Sequence, residues 1–127
     1  MLAAVFSGTS AMILGQYLAN AAHPAPLGMD YQDPEQVKSY MGSFPVYVYF
    51  IMILAHQVGT LVGSFLAARL DSRNGRKNAL MIGVIFMMGG MMNLQTLPHP
   101  IWMWAELPFY LISSVSGGIL ALRFPLR

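Results

Sequence analysis

His56 and Glu106 are the side chains whose type and position first suggest chemistry, because each falls inside a long apolar run. An ionisable group in such a place is costly to keep and is a functional hypothesis by default. A carboxylate there can accept a proton or a cation; an imidazole can pass a proton or ligate a metal. His56 is followed by Gly59, Thr60, Gly63 and Ala67, at offsets of three, four, seven and eleven. On a helix these share one face, so His56 is expected to point into protein, near mid-bilayer. It could handle protons, serve as an axial ligand to haem or chlorophyll, or be a neutral imidazole bonded to a neighbouring helix. One histidine supplies no ligand pair.

Glu106 heads a second face through Tyr110, Ser113 and Gly117. If the chain folds back between His99 and Pro100, Asn93 lies opposite Glu106. Gln16 and Tyr49 then fall four to five residues from the outer ends of their own runs. At about 1.5 Å per residue, Gln16, Tyr49, Asn93 and Glu106 form an outer polar layer at a common depth of roughly 6–8 Å. The layer reads either as a polar cavity with Glu106 as acceptor or as a hydrogen-bonded Glu106 bridging helices. Pro108 is expected to leave a backbone carbonyl free near Trp104.

Other constellations are less specific. Met87, Met88, Met91 and Met92 give two overlapping MxxxM spacings, which could line a copper(I) path or simply fill space beside Gly89 and Gly90. His23, His99, Asp30 and Glu35 share the outer side but lack the spacing of a zinc site. With no cysteine there is no thiolate ligand, disulfide or cysteine nucleophile. No metal and no catalytic residue is assigned, and the chain is not expected to be an enzyme.

The elements that must position these groups follow from composition. Of 127 residues, 56% are hydrophobic and 9% charged, against about a quarter charged in a soluble domain. That disfavours a soluble enzyme, a disordered tail and a nucleic-acid binder together. Four runs reach the roughly 20 residues a helix needs to cross hydrocarbon: 1–19, 44–70, 78–97 and 101–122. The expected fold is all-α: a single polytopic transmembrane bundle of four antiparallel helices. Its outer loop, 20–43, carries a short interfacial helix from Pro34 to Met41. Asp33-Pro34-Glu35-Gln36 announces that helix with a cap, a proline at the first position and a capping-box glutamine.

Charge sets the orientation. Arg69, Arg73, Arg76, Lys77, Arg123 and Arg127 fall on one side, Lys38 alone on the other. The positive-inside bias puts both termini on the cytoplasm-like side of a bacterial inner or organellar membrane. Tyr17, Tyr40, Phe44, Tyr47, Trp102 and Trp104 gather at the outer boundary, where amphipathic rings settle. Ala19-Asn20-Ala21 resembles a cleavage site, but no basic segment precedes the first run, so a retained span is expected.

Small residues at four-residue spacing mark packing faces in lipid. Ala11, Gly15 and Ala19 supply one in the first span, and Gly59, Gly63 and Ala67 in the second. Gly83 and Gly90 mark the third, and Ser113, Gly117 and Ala121 the fourth. The order of features resembles a loose group of small uncharacterised bacterial four-helix integral membrane proteins. The resemblance rests on Ala22-His23-Pro24-Ala25-Pro26, the Gly28-Met29-Asp30 to Asp33 stretch, the span from Ala55 to Gly63, Asn93, and Leu97-Pro98-His99-Pro100-Ile101-Trp102. It implies a fold and no activity. Similar chains carry an acidic residue and a histidine near the positions of Gln16 and Asn20. The functional expectation is a non-catalytic accessory or assembly subunit of a larger membrane complex. Its partners would be other integral membrane subunits and the bilayer, with no nucleic acid. No cofactor is assigned, though lipid or pigment contact is compatible with the apolar faces. The alternative is a small proton, cation or metal carrier using Glu106 and His56.

Overall fold

Every backbone amide in hydrocarbon must be satisfied within its own segment, so apolar runs of this length close into helices. The computed structural model describes residues 1–124. Its helices are α1 (Leu2–Ala22), α2 (Pro34–Gly42), α3 (Val46–Leu70), α4 (Gly75–Thr96) and α5 (Leu107–Arg123). Short 3₁₀ segments, Ser72–Asn74 and Ile101–Glu106, lead into α4 and α5. Four stretches are long and apolar enough to cross a membrane: α1, α3, and α4 and α5 with their 3₁₀ leaders. The chain is an all-α helical membrane bundle.

The boundaries have local causes. Pro45 precedes α3, and Asp71 ends it and turns the chain, its carboxylate accepting from the Asn74 amide, Asn74 Nδ2 and Asn78 Nδ2. Those side-chain bonds hold the exposed Asp71 carboxyl below its ordinary range. Pro98 and Pro100 stop α4 and start the next segment. Asp33 caps α2 by accepting from the Glu35 amide at 3.0 Å. Gln36 does not complete a standard capping box. Its Nε2 donates to Asp33 Oδ2 at 2.9 Å, while its Oε1 takes the Asp30 amide at 3.0 Å.

α3 is the central helix: α1, α4 and α5 all pack on it, and α4 packs on α5. α1 leans chiefly on α3 and meets α4 through Phe86, whose ring lies over Gly8. Close approach explains the glycines. A Cβ on Gly15 would meet Ala55, one on Gly59 would meet Met12 and the Gly8 carbonyl, and one on Gly117 would lie 2.5 Å from the Leu61 carbonyl. Gly63 is tight against the Ala4 carbonyl and Ile82. The expected packing faces therefore close onto each other within one chain. In α5 the face runs through Ser114, not Ser113, to Gly117 and Ala121. Ser113 stands half-buried beside it, donating to Gln57 Oε1 at 2.8 Å. Gly8 and then Ala4 extend the α1 face by one and two turns beyond the expected stripe.

Three apolar clusters fill the interior. The outer one centres on Ala19, Val48, Tyr49, Met52, Leu94 and Met103. A middle one joins Ala4, Ala67, Ile82, Phe86 and Tyr110, and an inner one Ala68, Ala79 and Ala121. At the inner end Arg69 Nη1 donates to the Ala121 carbonyl at 3.4 Å, tying the ends of α3 and α5 together. Arg127, counted in the basic cluster, lies outside the described residues.

Three tyrosines pin the outer loop. Tyr40 donates to the His23 carbonyl at 2.6 Å, Tyr47 to the Ala22 carbonyl at 3.5 Å and Tyr49 to the Met41 carbonyl at 2.7 Å. Around them His23, Tyr40, Phe44, Tyr49 and Trp102 form a chain of ring contacts, successive centroids 4.8 to 5.8 Å apart.

Candidate functional site

Among the described residues a chain of polar side chains runs through the interior from α1 through α3 to the start of α5. Gln16 Nε2 lies 3.4 Å from His56 Nε2, and His56 Nδ1 lies 3.4 Å from Glu106 Oε2. With the Gln16 amide oriented so, it donates to Nε2, and the imidazole proton sits on Nδ1, from which it donates to Glu106. Glu106 is 2% exposed and His56 7% exposed, so the pair is removed from bulk water. Tyr110, one turn past Glu106, lies along His56 with ring centroids 6.1 Å apart at 26°. Its hydroxyl reaches over Gly90, where a Cβ would lie 2.6 Å away. Thr60 closes the α3 side by donating to the His56 carbonyl at 2.8 Å.

Helix geometry explains why these groups meet. α1 continues to Ala22, which places Gln16 six residues, about 9 Å, below its outer end. The 3₁₀ segment Ile101–Glu106 advances about 2 Å per residue instead of about 1.5, carrying Glu106 about 10 Å inward. His56 is the eleventh residue of α3, about 15 Å from its start. Long side chains cover the differences.

The expected four-residue layer is therefore rearranged. Gln16 and Glu106 belong to one chain, joined by His56, which the sequence pattern treated separately. Tyr49 is buried but too shallow, and its hydroxyl goes to the Met41 carbonyl. Asn93 is half-buried in the last turn of α4, where its backbone carbonyl accepts from the Leu97 amide and from Thr96 Oγ1. Pro108 stands within the first two positions of α5, where no helical donor is lost. The Trp104 carbonyl expected to be free accepts the Leu107 amide.

The other candidates separate as well. Met88, Met91 and Met92 point out of the bundle while Met87 packs against the core, so neither MxxxM pair lines an internal path. His23 Nε2 pairs with Ser43 Oγ at 3.1 Å, and Asp30 Oδ1 takes the Gln32 amide. Among the described residues no three His, Asp or Glu side chains are placed to hold a metal. Sequence reasoning missed His99 as a neighbour of the site. Burial lowers its pKa most; the Leu97 carbonyl and the Glu106 charge act the other way, and His56 lowers it. The signal available was the placement of His99 seven residues before Glu106, across a proline-bounded turn.

No protein-family model, curated protein or solved structure matches this chain.

Inward of His56 the bundle is closed. The buried residues of α3 there are Gly59, Thr60, Gly63, Ser64, Ala67 and Ala68. Facing them are Ala79, Ile82, Gly83 and Phe86 of α4 and Tyr110, Ser114, Gly117, Gly118 and Ala121 of α5. Ser64 donates to the Ala79 carbonyl at 3.2 Å and Ser114 to the Leu111 carbonyl at 2.8 Å, so these hydroxyl protons are already committed to backbone.

Proposed function

We propose that the chain is a non-catalytic accessory subunit of a larger membrane assembly. In this reading the 71–77 link and the end of α5 lie on the cytoplasm-like side of a bacterial inner or organellar membrane. The observation that carries it is the closed inner half. Among the described residues a single copy offers no polar route from the Gln16–His56–Glu106 chain to the basic end, because backbone contacts at Gly63 and Gly117 occupy that space. The polar chain then serves as interhelical glue, holding α1 and α5 to α3. The position of α1 supports the same reading. It packs at the edge of the bundle and leaves Phe6, Ile13, Leu14, Tyr17 and Leu18 exposed for lipid or a neighbouring subunit.

A proton or cation carrier is the second reading, favoured by the burial of an acid and a base in contact. Purification after gentle solubilisation distinguishes the two. The accessory reading expects a fixed-stoichiometry set of larger membrane subunits. A lone homo-oligomer would overturn it and favour the carrier.

A further inference from the structure

Two cavities adjoin at the inner, basic end of the bundle, away from the buried polar chain. One, of about 360 Å³, is lined by residues 72–77 and by Leu122 of α5. The other, also of about 360 Å³, is a groove between α4 and α5 lined by Ala79, Leu80, Val115, Gly118 and Ile119. Arg76 lines both. Its place follows from the sequence, since Ala79 and Leu80 come three and four residues later and share its side of α4. Ala79 and Gly118 are buried where the two helices nearly touch: a Cβ on the glycine would lie 2.8 Å from that of the alanine. Leu80, Val115 and Ile119 stand exposed as the rims. The result is an apolar slot on the outside of the bundle with a guanidinium at its inner end.

Charge narrows what fits there. Arg73, Arg76 and Lys77 are exposed, and among the described residues none of them pairs with a carboxylate. Asp71 lies nearby in the chain, but its carboxylate accepts from Asn74 and Asn78. Arg69 is already occupied, by the Ala121 carbonyl and the Phe65 ring. An apolar slot alone would take any acyl chain, and three cations alone would take any anion. An anion that carries an acyl chain satisfies both cavities at once.

We propose that this end of the bundle binds one anionic phospholipid, with its phosphate on Arg76 between Arg73 and Lys77 and one acyl chain along Leu80, Val115 and Ile119. Basic pockets beside transmembrane helices recognise such headgroups. The Arg76 fork can hold two phosphate oxygens together, which fixes the headgroup over the slot. A zwitterionic lipid brings a second cation toward three others and is disfavoured. The site goes beyond the accessory reading and does not rest on it.

Native mass spectrometry of the full chain tests the proposal. The protein is released from detergent holding equal amounts of phosphatidylglycerol and phosphatidylcholine with identical acyl chains. The native protein should retain one phosphatidylglycerol in preference. Arg76→Gln should lower that retention about five-fold, the effect of one cation beside a phosphate. Arg123→Gln removes a charge at the same end but lines neither cavity, and should leave retention unchanged. Val115→Trp fills the slot without altering charge and should also lower retention. Soluble glycerol phosphate at millimolar concentration should not displace the lipid, because it brings no chain. Equal retention of the two lipids by the native protein would overturn the proposal without recourse to any variant. So would equal effects of Arg76→Gln and Arg123→Gln, which would reduce the site to diffuse charge. Displacement by glycerol phosphate, or unchanged retention in Val115→Trp, would leave a phosphate site with no role for the groove and overturn the lipid assignment.

Discussion

His56 Nδ1 lies 3.4 Å from Glu106 Oε2, fifty residues further along the chain, with both side chains buried. The contact joins the central helix to the segment that opens α5, and Gln16 extends it to α1. A polar contact in hydrocarbon is most expensive when half of it is removed. That asymmetry gives the first prediction. Glu106→Gln keeps an acceptor for the His56 proton and should leave thermal stability in detergent close to native. Glu106→Leu leaves His56 Nδ1–H without a partner and should cost about 1–3 kcal/mol, read as a lowered melting temperature.

Helix contact gives the second. Gly59→Leu with Gly63→Leu must push α1 away from α3, since Gly8, Met12 and the Ala4 carbonyl occupy the space. The expected cost is about 1–3 kcal/mol or more from overpacking. Gly89→Leu is the matched control, because a Cβ there meets nothing within 4 Å. It should stay within about 0.5 kcal/mol of native. Equal melting of the two proteins would show that α1 does not seat on this face.

The groups involved were unequally legible in the sequence. The four apolar runs and the Gly15, Gly59, Gly63 and Gly117 contacts follow from length and spacing, which hydrocarbon enforces strictly. So did the inward face of His56. Its partners do not, because a single α-helical rise throughout places them at other depths. The 3₁₀ stretch before α5 and the three added residues of α1 moved Glu106 and Gln16 down to His56, leaving Tyr49 and Asn93 above. A pattern of residue types does not reveal a change of helix pitch. Gly8 and Ser114 were missed for a related reason: the packing stripe drifts by one position where two helices cross.

Acidification gives the third prediction. Burial holds the His99 pKa below its ordinary value of 6.5, while the unfolded chain keeps that value. Between the two, the unfolded state binds more protons, so stability rises with pH there. Lowering pH through about 6.5 should therefore destabilise the protein, and His99→Gln should flatten that part of the profile. A pH–stability curve unchanged by the substitution would place the titration elsewhere.

Orientation gives the fourth. Ser72 and Gln36 lie exposed at opposite ends of the bundle. Single cysteines at these positions should differ in intact cells, with Gln36→Cys labelled by a membrane-impermeant reagent and Ser72→Cys protected. The reverse pattern would invert the topology drawn from six basic residues against one.

The central claim is that one copy of this chain holds a polar chain without a route across the membrane. Ion flux in vesicles reconstituted with the purified protein alone tests it most directly. The account predicts no pH-dependent proton or cation flux above that of protein-free vesicles, for the native protein and for Glu106→Gln alike. Robust flux in the native protein that vanishes in Glu106→Gln would contradict it.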